Sequence, residues 1–191
     1  MRNNTLGRIC IGLLVGCLSS AVGNAASEEA AMPLTLTLTS TAFAHQSSIP
    51  ARHTCDGKDT SPPLSWHGVP ANTQSLVLIV DDPDAPDPAA PRMTWVHWLL
   101  YNLPAVDSGL AENASHTGLP PGTRVGVNDW QRSDYGGPCP PIGLHRYIHK
   151  LYALDIVLPA LVKPDKARLE QAMQGHILAH AELIGTYQRE R

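Results

Sequence analysis

Three polar clusters interrupt otherwise apolar stretches of this chain. The first, Asp81-Asp82-Pro83-Asp84-Ala85-Pro86, follows directly on the apolar run Leu76-Val77-Leu78-Ile79-Val80. Proline fixes its own φ and restricts the residue before it, so carboxylates set between prolines are held in place at little cost. The plainer reading is a solvated acidic turn. The second is His97, flanked by Trp95, Val96 and Trp98 inside an apolar stretch, where a satisfied core histidine is the alternative to a ligand contact. The third is Gly136-Gly137-Pro138-Cys139-Pro140-Pro141-Ile142-Gly143-Leu144-His145-Arg146-Tyr147. Its glycines would let backbone N–H groups converge as in an anion nest, and its paired prolines make a rigid apolar wall. His145 and Tyr147 are two apart at a strand start and share a face, while Arg146 points away and reads as a structural ion-pair partner.

Two imidazoles, a phenol and a Gly-rich backbone are hydrogen-bond donors suited to a phosphate-like anion. The neighbouring aspartates repel such an anion unless a carboxylate accepts a bond from a histidine ring, which fixes its tautomer. If protonated His97 or His145 supplies the affinity, binding weakens as pH rises from about 5.5 to 8. No P-loop, zinc-protease, Cys-x-x-Cys or nucleophile-elbow motif occurs. His176 and His180 stand four apart on a predicted helix but have no Glu between them, so no metal is assigned there. His45, His53, His67, His116 and His149 read as surface or loop residues.

The elements that must position these groups are mostly strands. Residues 34–39 alternate Leu and Thr, the pattern of a half-buried strand. Residues 76–80 are continuously apolar and suit a central strand covered on both faces. The prolines after it are expected to stop the ladder. Further strands are expected at 64–66, 95–103 and 147–156. Between the last two lies the long Gly- and Pro-rich segment 113–144, a length that points to function. After Pro164, residues 165–174 and 176–184 read as two short helices broken at Gly175, with a last short strand beginning near Tyr187.

The chain has 191 residues, 43% hydrophobic and 16% charged, enough apolar material for one domain with a real core. Its 17 prolines and 15 glycines fit a turn-laden β protein better than a helical bundle. A net charge of −3 without a basic stripe argues against nucleic-acid binding. Residues 1–25 read as an export signal, with Arg2 and Arg8 ahead of an apolar run and small residues at Gly23-Asn24-Ala25; residues 26–33 form a polar stub before a domain at 34–191. The exported product is either soluble in the periplasm or secreted, starting near Ala26, or anchored by lipid on Cys17 of Leu14-Val15-Gly16-Cys17. Only the lipidated form would touch a membrane. Cys55 and Cys139 survive signal removal. An even pair in an oxidising compartment reads as a disulfide, and the alternative is Cys139 as a free thiol or nucleophile near His145.

Four separated motifs resemble the phosphatidylethanolamine-binding proteins in their bacterial Raf-kinase-inhibitor-like branch: Asp82-Pro83-Asp84-Ala85-Pro86, Trp95-Val96-His97-Trp98, Asn128-Asp129, and Gly137-Pro138-Cys139-Pro140-Pro141 leading to His145-Arg146-Tyr147. Thr54-Cys55-Asp56-Gly57, Ser61 to Trp66 and Gly175 to Ala179 add to the likeness. The resemblance implies a mainly β fold, with a large central antiparallel sheet, a smaller second sheet and short peripheral and C-terminal helices. It implies a small pocket built from Asp82, Asp84, Ala85, Pro86, His97, Pro140, Pro141, His145 and Tyr147. A phosphate, a carboxylate or a phospholipid head group would bind there without a cofactor or catalysis. A protein partner, a protease or a kinase restrained by surface loops, is the second function implied. A hydrolase using His145 with Asp82, or Cys139, is the third reading of the residues. The short link from Pro141 to His145 departs from the family pattern and bears on head-group selectivity.

Overall fold

The computed structural model describes residues 35–190. The expected export segment 1–25, Cys17 and the stub 26–33 lie outside the described residues. The strands are β1 (Thr37–Thr39), β2 (Ser47–Ser48), β3 (Leu64–His67), β4 (Ser75–Ala85), β5 (Met93–Pro104), β6 (Gly109–Leu110), β7 (Arg124–Val125), β8 (His145–Leu154) and β9 (Ile177–Tyr187). Two short α-helices, α1 (Ala114–Thr117) and α2 (Lys166–Met173), and a 3-10 turn at Ala51–His53 complete the set among the described residues. A six-stranded sheet runs in the order β2-β9-β8-β4-β5-β7, antiparallel except for the β2–β9 pair, and a three-stranded antiparallel sheet runs β1-β3-β6. The expected architecture of a large sheet with a smaller one is present.

The unbroken apolar run of β4 is explained by cover on both sides. Leu76, Leu78 and Val80 join Leu38, Leu64 and Trp66 of the small sheet, and Leu36 just before it, in one core. Val77 and Ile79 point the other way, into a second core under Leu169 and Met173 of α2. Asp165 caps that helix, its side chain accepting from the Arg168 N–H at 2.9 Å. Leu169 and Met173, four residues apart, form its buried stripe.

Two expectations are corrected. The prolines after Val80 do not end the ladder: β4 runs on to Ala85, with a register shift between Asp82 and Ala85 that takes in Pro83. A residue outside the regular ladder needs no N–H there, so proline is tolerated. Residues 176–184 are not a helix either, because they lie in or just before β9, which pairs with β8 from His145↔Tyr187 to Leu154↔Ile177. Ala179, Ala181, Leu183, Gly185 and Tyr187 turn inward at period two. Ala, Leu and Glu favour helix in isolation, but a long ladder and a buried face outweigh that preference. His176 and His180 therefore never stand on one helical face: His176 bonds Asp155 at 2.9 Å, and His180 stacks on Tyr152.

Candidate functional site

Period two sets Asp81 apart from Asp82, and the register shift after Asp82 turns Asp84 elsewhere. Asp81 continues the face of Val77 and Ile79 and meets Lys150 and Lys166 at 2.9 and 2.6 Å. It is a buried structural ion-pair centre. Asp82 continues the opposite face, where its Oδ2 lies 2.7 Å from His145 Nδ1 and its Oδ1 accepts from the Asp84 N–H at 2.8 Å. Burial pushes the Asp82 carboxyl above its usual range, against those hydrogen bonds, which pull it down. Asp84 turns to Arg146, which donates to it from the backbone and through both arms of the guanidinium at 2.7–2.9 Å and holds its carboxyl below the usual range. Arg146 is thus the structural partner expected of it, and Asp84 does not line the cavity described below.

His97 reaches the site by a bulge. Asp81 pairs with Val96 and Val80 with Trp98, so His97 is the extra residue in β5. An added residue re-aims the chain, so that His97 and Trp98, which strict alternation would place on opposite faces, both turn toward the face of β8 that carries Tyr147. Asn128 and Asp129 stitch this irregular stretch. Asp129 accepts from the Val96 N–H at 2.7 Å, and Asn128 donates to the His97 and Asp134 carbonyls while accepting from the Trp130 and Arg132 N–H groups. The Trp130 ring is thereby set edge-on to His97, 5.1 Å between centroids.

A cavity of about 360 Å³ lies at this end of the large sheet. Of the nine residues expected in a pocket, Asp82, Ala85, Pro86, His97, Pro140, Pro141, His145 and Tyr147 line it. Met93, Trp95, Trp130 and Cys139 join them. No periodicity singles out Trp130; only its place after the Asn128-Asp129 motif marks it. A wider depression of about 930 Å³ lies along Pro140–Gly143 and residues 188–190, but its Arg189 is held by Asp56 and none of its lining residues has a buried unpartnered polar atom.

The hydrogen-bond inventory of the cavity differs from the donor set expected of it. His97 Nδ1 donates to the Gly136 carbonyl at 2.6 Å, and burial pushes the ring down to about 4, so it is neutral across pH 5.5–8. Protonated His97 therefore cannot supply affinity in that range. Both nitrogens of His145 are engaged, one by Asp82 and the other by the Ile142 carbonyl at 3.0 Å. The N–H groups of Gly136 and Gly137 are engaged too, the first donating to the His97 carbonyl and the second to Asp59. They form no open nest. The glycines serve close packing instead, since a Cβ on Gly136 would strike the Trp130 ring and one on Gly137 would strike the His53 carbonyl and Asp59. Gly137→Ala should cost about 1–3 kcal/mol by urea denaturation, because backbone must shift to admit the methyl.

What stays free is a small set of buried atoms: Tyr147 Oη, Trp95 Nε1 and His97 Nε2 have no partner. Burial raises the Tyr147 hydroxyl well above its ordinary range, so it keeps its proton and can donate. Cys139 is bridged to Cys55 and has no thiol, which removes the nucleophile reading. His53 and His149 are not surface residues. His53 is buried with Nδ1 2.9 Å from the Thr60 carbonyl oxygen, and His149 is buried beside Phe43.

A mainly β domain with a cavity at the end of its large sheet is a ligand-pocket architecture. The phosphatidylethanolamine-binding protein family model matches residues 39–188, and the chain belongs to that family. It is 49% identical over 149 residues to a UPF0098 protein of Methanothermobacter thermautotrophicus, covering 78% of this chain and 95% of that one. It is 44% identical over 153 residues to one from Chlamydia muridarum, covering 80% and 99%. A phosphatidylethanolamine-binding protein homologue of Chlamydia trachomatis superposes with a TM-score of 0.75 at 43% identity, covering 82% of this chain and 99% of that one. YbcL of E. coli superposes at 0.74 and 31% identity, covering 81% and 99%.

Proposed function

We propose that this is an exported pocket protein that binds small anionic ligands, phosphate or phospholipid head groups, between the Asp82–Pro86 turn, His97 and the loop leading to His145. The observation that carries the reading is the pair of buried donors without partners, Tyr147 Oη and Trp95 Nε1, on a cavity whose wall is mostly apolar and whose other polar side chains are Asp82, His97 and His145. A buried polar group without a partner costs free energy that a ligand oxygen restores. Few polar groups on an apolar wall are the usual composition of a small-molecule site. The Cys55–Cys139 bridge agrees with an oxidising compartment, and with the export signal read at 1–25.

Calorimetric titration with phosphate and with phosphoethanolamine tests the reading. Saturable binding is expected, weakened roughly tenfold in Tyr147→Phe, with the unfolding midpoint unchanged because the hydroxyl has no protein partner to lose. His145→Ala removes a cavity wall together with the partner of Asp82 and should abolish binding. Equal affinity in wild type and Tyr147→Phe would contradict the proposal.

A second reading, an interaction module restraining a protease or kinase, draws on exposed apolar side chains: Met93 of the cavity lining and Ile142 and Leu144 of the loop between Pro141 and His145 are 51%, 47% and 54% exposed. Capture of a protease or kinase from envelope extract, lost on Leu144→Asp, would favour it.

A further inference from the structure

The cavity holds an acceptor as well as donors, and this narrows the ligand within the anion-binding reading above, on which the inference rests. His97 Nδ1 must carry the ring's hydrogen, because its neighbour at 2.6 Å is a carbonyl oxygen. Nε2 is then a bare lone pair, buried and without a partner. Asp82 does not fill that gap: its Oδ2 faces His145 Nδ1 and its Oδ1 accepts from the Asp84 N–H, and neither oxygen reaches His97 Nε2.

We propose that the ligand donates a hydrogen bond to His97 Nε2, so that the pocket selects oxyanions still carrying a hydroxyl over those carrying none. Inorganic phosphate keeps at least one hydroxyl in both of its neutral-pH forms. A phosphomonoester keeps one only as the monoanion. Sulfate, a phosphomonoester dianion and the phosphodiester of an intact lipid have none. A ligand of the first kind satisfies the three free atoms together, accepting from Tyr147 and Trp95 and donating to His97. A ligand of the second kind sets lone pair against lone pair and leaves Nε2 unsatisfied. Sites built to bond a hydroxyl reject analogues that lack it for this reason.

The charged and titratable groups around His97 are Asp81 and Asp82 from β4, and His145, Tyr147 and His149 from β8, with Trp130 and the Gly136 carbonyl from the segment after β7. Burial outweighs their fields and keeps the ring neutral. The ligand's own proton, and not that of His97, therefore sets the selectivity.

The test compares inorganic phosphate, sulfate, methyl phosphate and dimethyl phosphate by calorimetry at pH 5 and pH 8. All four meet the same protein charge at each pH, so differences among them report the ligand. Phosphate should bind at both pH values, with sulfate and dimethyl phosphate at least about tenfold weaker. Methyl phosphate should match phosphate at pH 5. Relative to phosphate, it should weaken about tenfold per pH unit above its second pKa of about 6. His97→Gln, whose amide can offer either a donor or an acceptor, should narrow the phosphate–sulfate gap. The wild-type comparison decides the matter even where that variant does not fold. Sulfate or dimethyl phosphate within about threefold of phosphate, or methyl phosphate tracking phosphate at both pH values, overturns the selectivity and leaves the pocket reading standing. Failure of all four to bind overturns both.

Discussion

Acidification from pH 7 to pH 4 is expected to remove several kcal/mol of folding stability, about half of it through His149. His97 and His149 are both buried, and burial pushes each down to about 4 from an ordinary value near 6.5. With folded-state values below those of the unfolded chain, it is the unfolded chain that takes up protons first. The stability is therefore fully present above pH 6.5 and is lost as pH falls toward 4. The linkage amounts to about 3 kcal/mol for each ring at pH 4. Asp82, raised by burial, works in the opposite sense and offsets part of this. His149 makes the cleaner test, because its ring nitrogens have no well-formed hydrogen bonds, only the Tyr147 and Leu183 backbone nearby. His149→Leu should be neutral or stabilising at pH 7 and should lose about half as much stability as wild type on going to pH 4. Urea unfolding at the two pH values measures this, and an unchanged loss in the variant would show that the ring does not titrate as described.

The second large effect concerns the bridge. Cys55→Ser with Cys139→Ser should lower stability by roughly 4 kcal/mol at neutral pH, since the disulfide closes a loop 84 residues long and its main action is on the unfolded chain. The loss should exceed that of an ordinary surface pair for a second reason. Cys139 is in the cavity wall, and the Cys55 N–H donates to the Pro138 carbonyl, so the bridge tethers the wall to residues 53–60. Reduction of the wild-type protein should reproduce the variant's urea midpoint. The variant should also bind phosphate more weakly than Gly137→Ala does, because it frees the wall without merely displacing it. A double variant as stable as wild type would mean that the unfolded chain gains nothing from being cut loose.

Much of the pocket was legible because its residues violate their surroundings. A histidine inside an apolar strand, an aspartate set against a proline and a Gly-Pro run before His145 are each costly unless something requires them, and the cavity gathers His97, Asp82 and the prolines of that run. The fold was legible where alternation was strict, as in Leu36 and Leu38, or where apolar residues ran without break, as in β4. The errors share one physical cause. Local preference speaks of a segment alone, whereas pairing and burial belong to the whole chain. In β9, Ala, Leu and Glu read as helix while period-two burial from Ala179 to Tyr187 carried the real signal. His149 looked solvated because nothing near it in sequence reveals that β9 and Phe43 cover it. The bulge at His97, the diversion of Asp84 to Arg146 and the engagement of both His145 nitrogens are properties of register, which no residue pattern along one strand displays.

The most direct test of the account is a crystal structure at neutral pH with inorganic phosphate as the sole added anion and neither acetate nor sulfate present. The account predicts a tetrahedral ion in the 360 Å³ cavity, with oxygens within hydrogen-bond distance of Tyr147 Oη and His97 Nε2. A cavity filled only by water at saturating phosphate, or an ion bound elsewhere with both atoms still unpartnered, would contradict it.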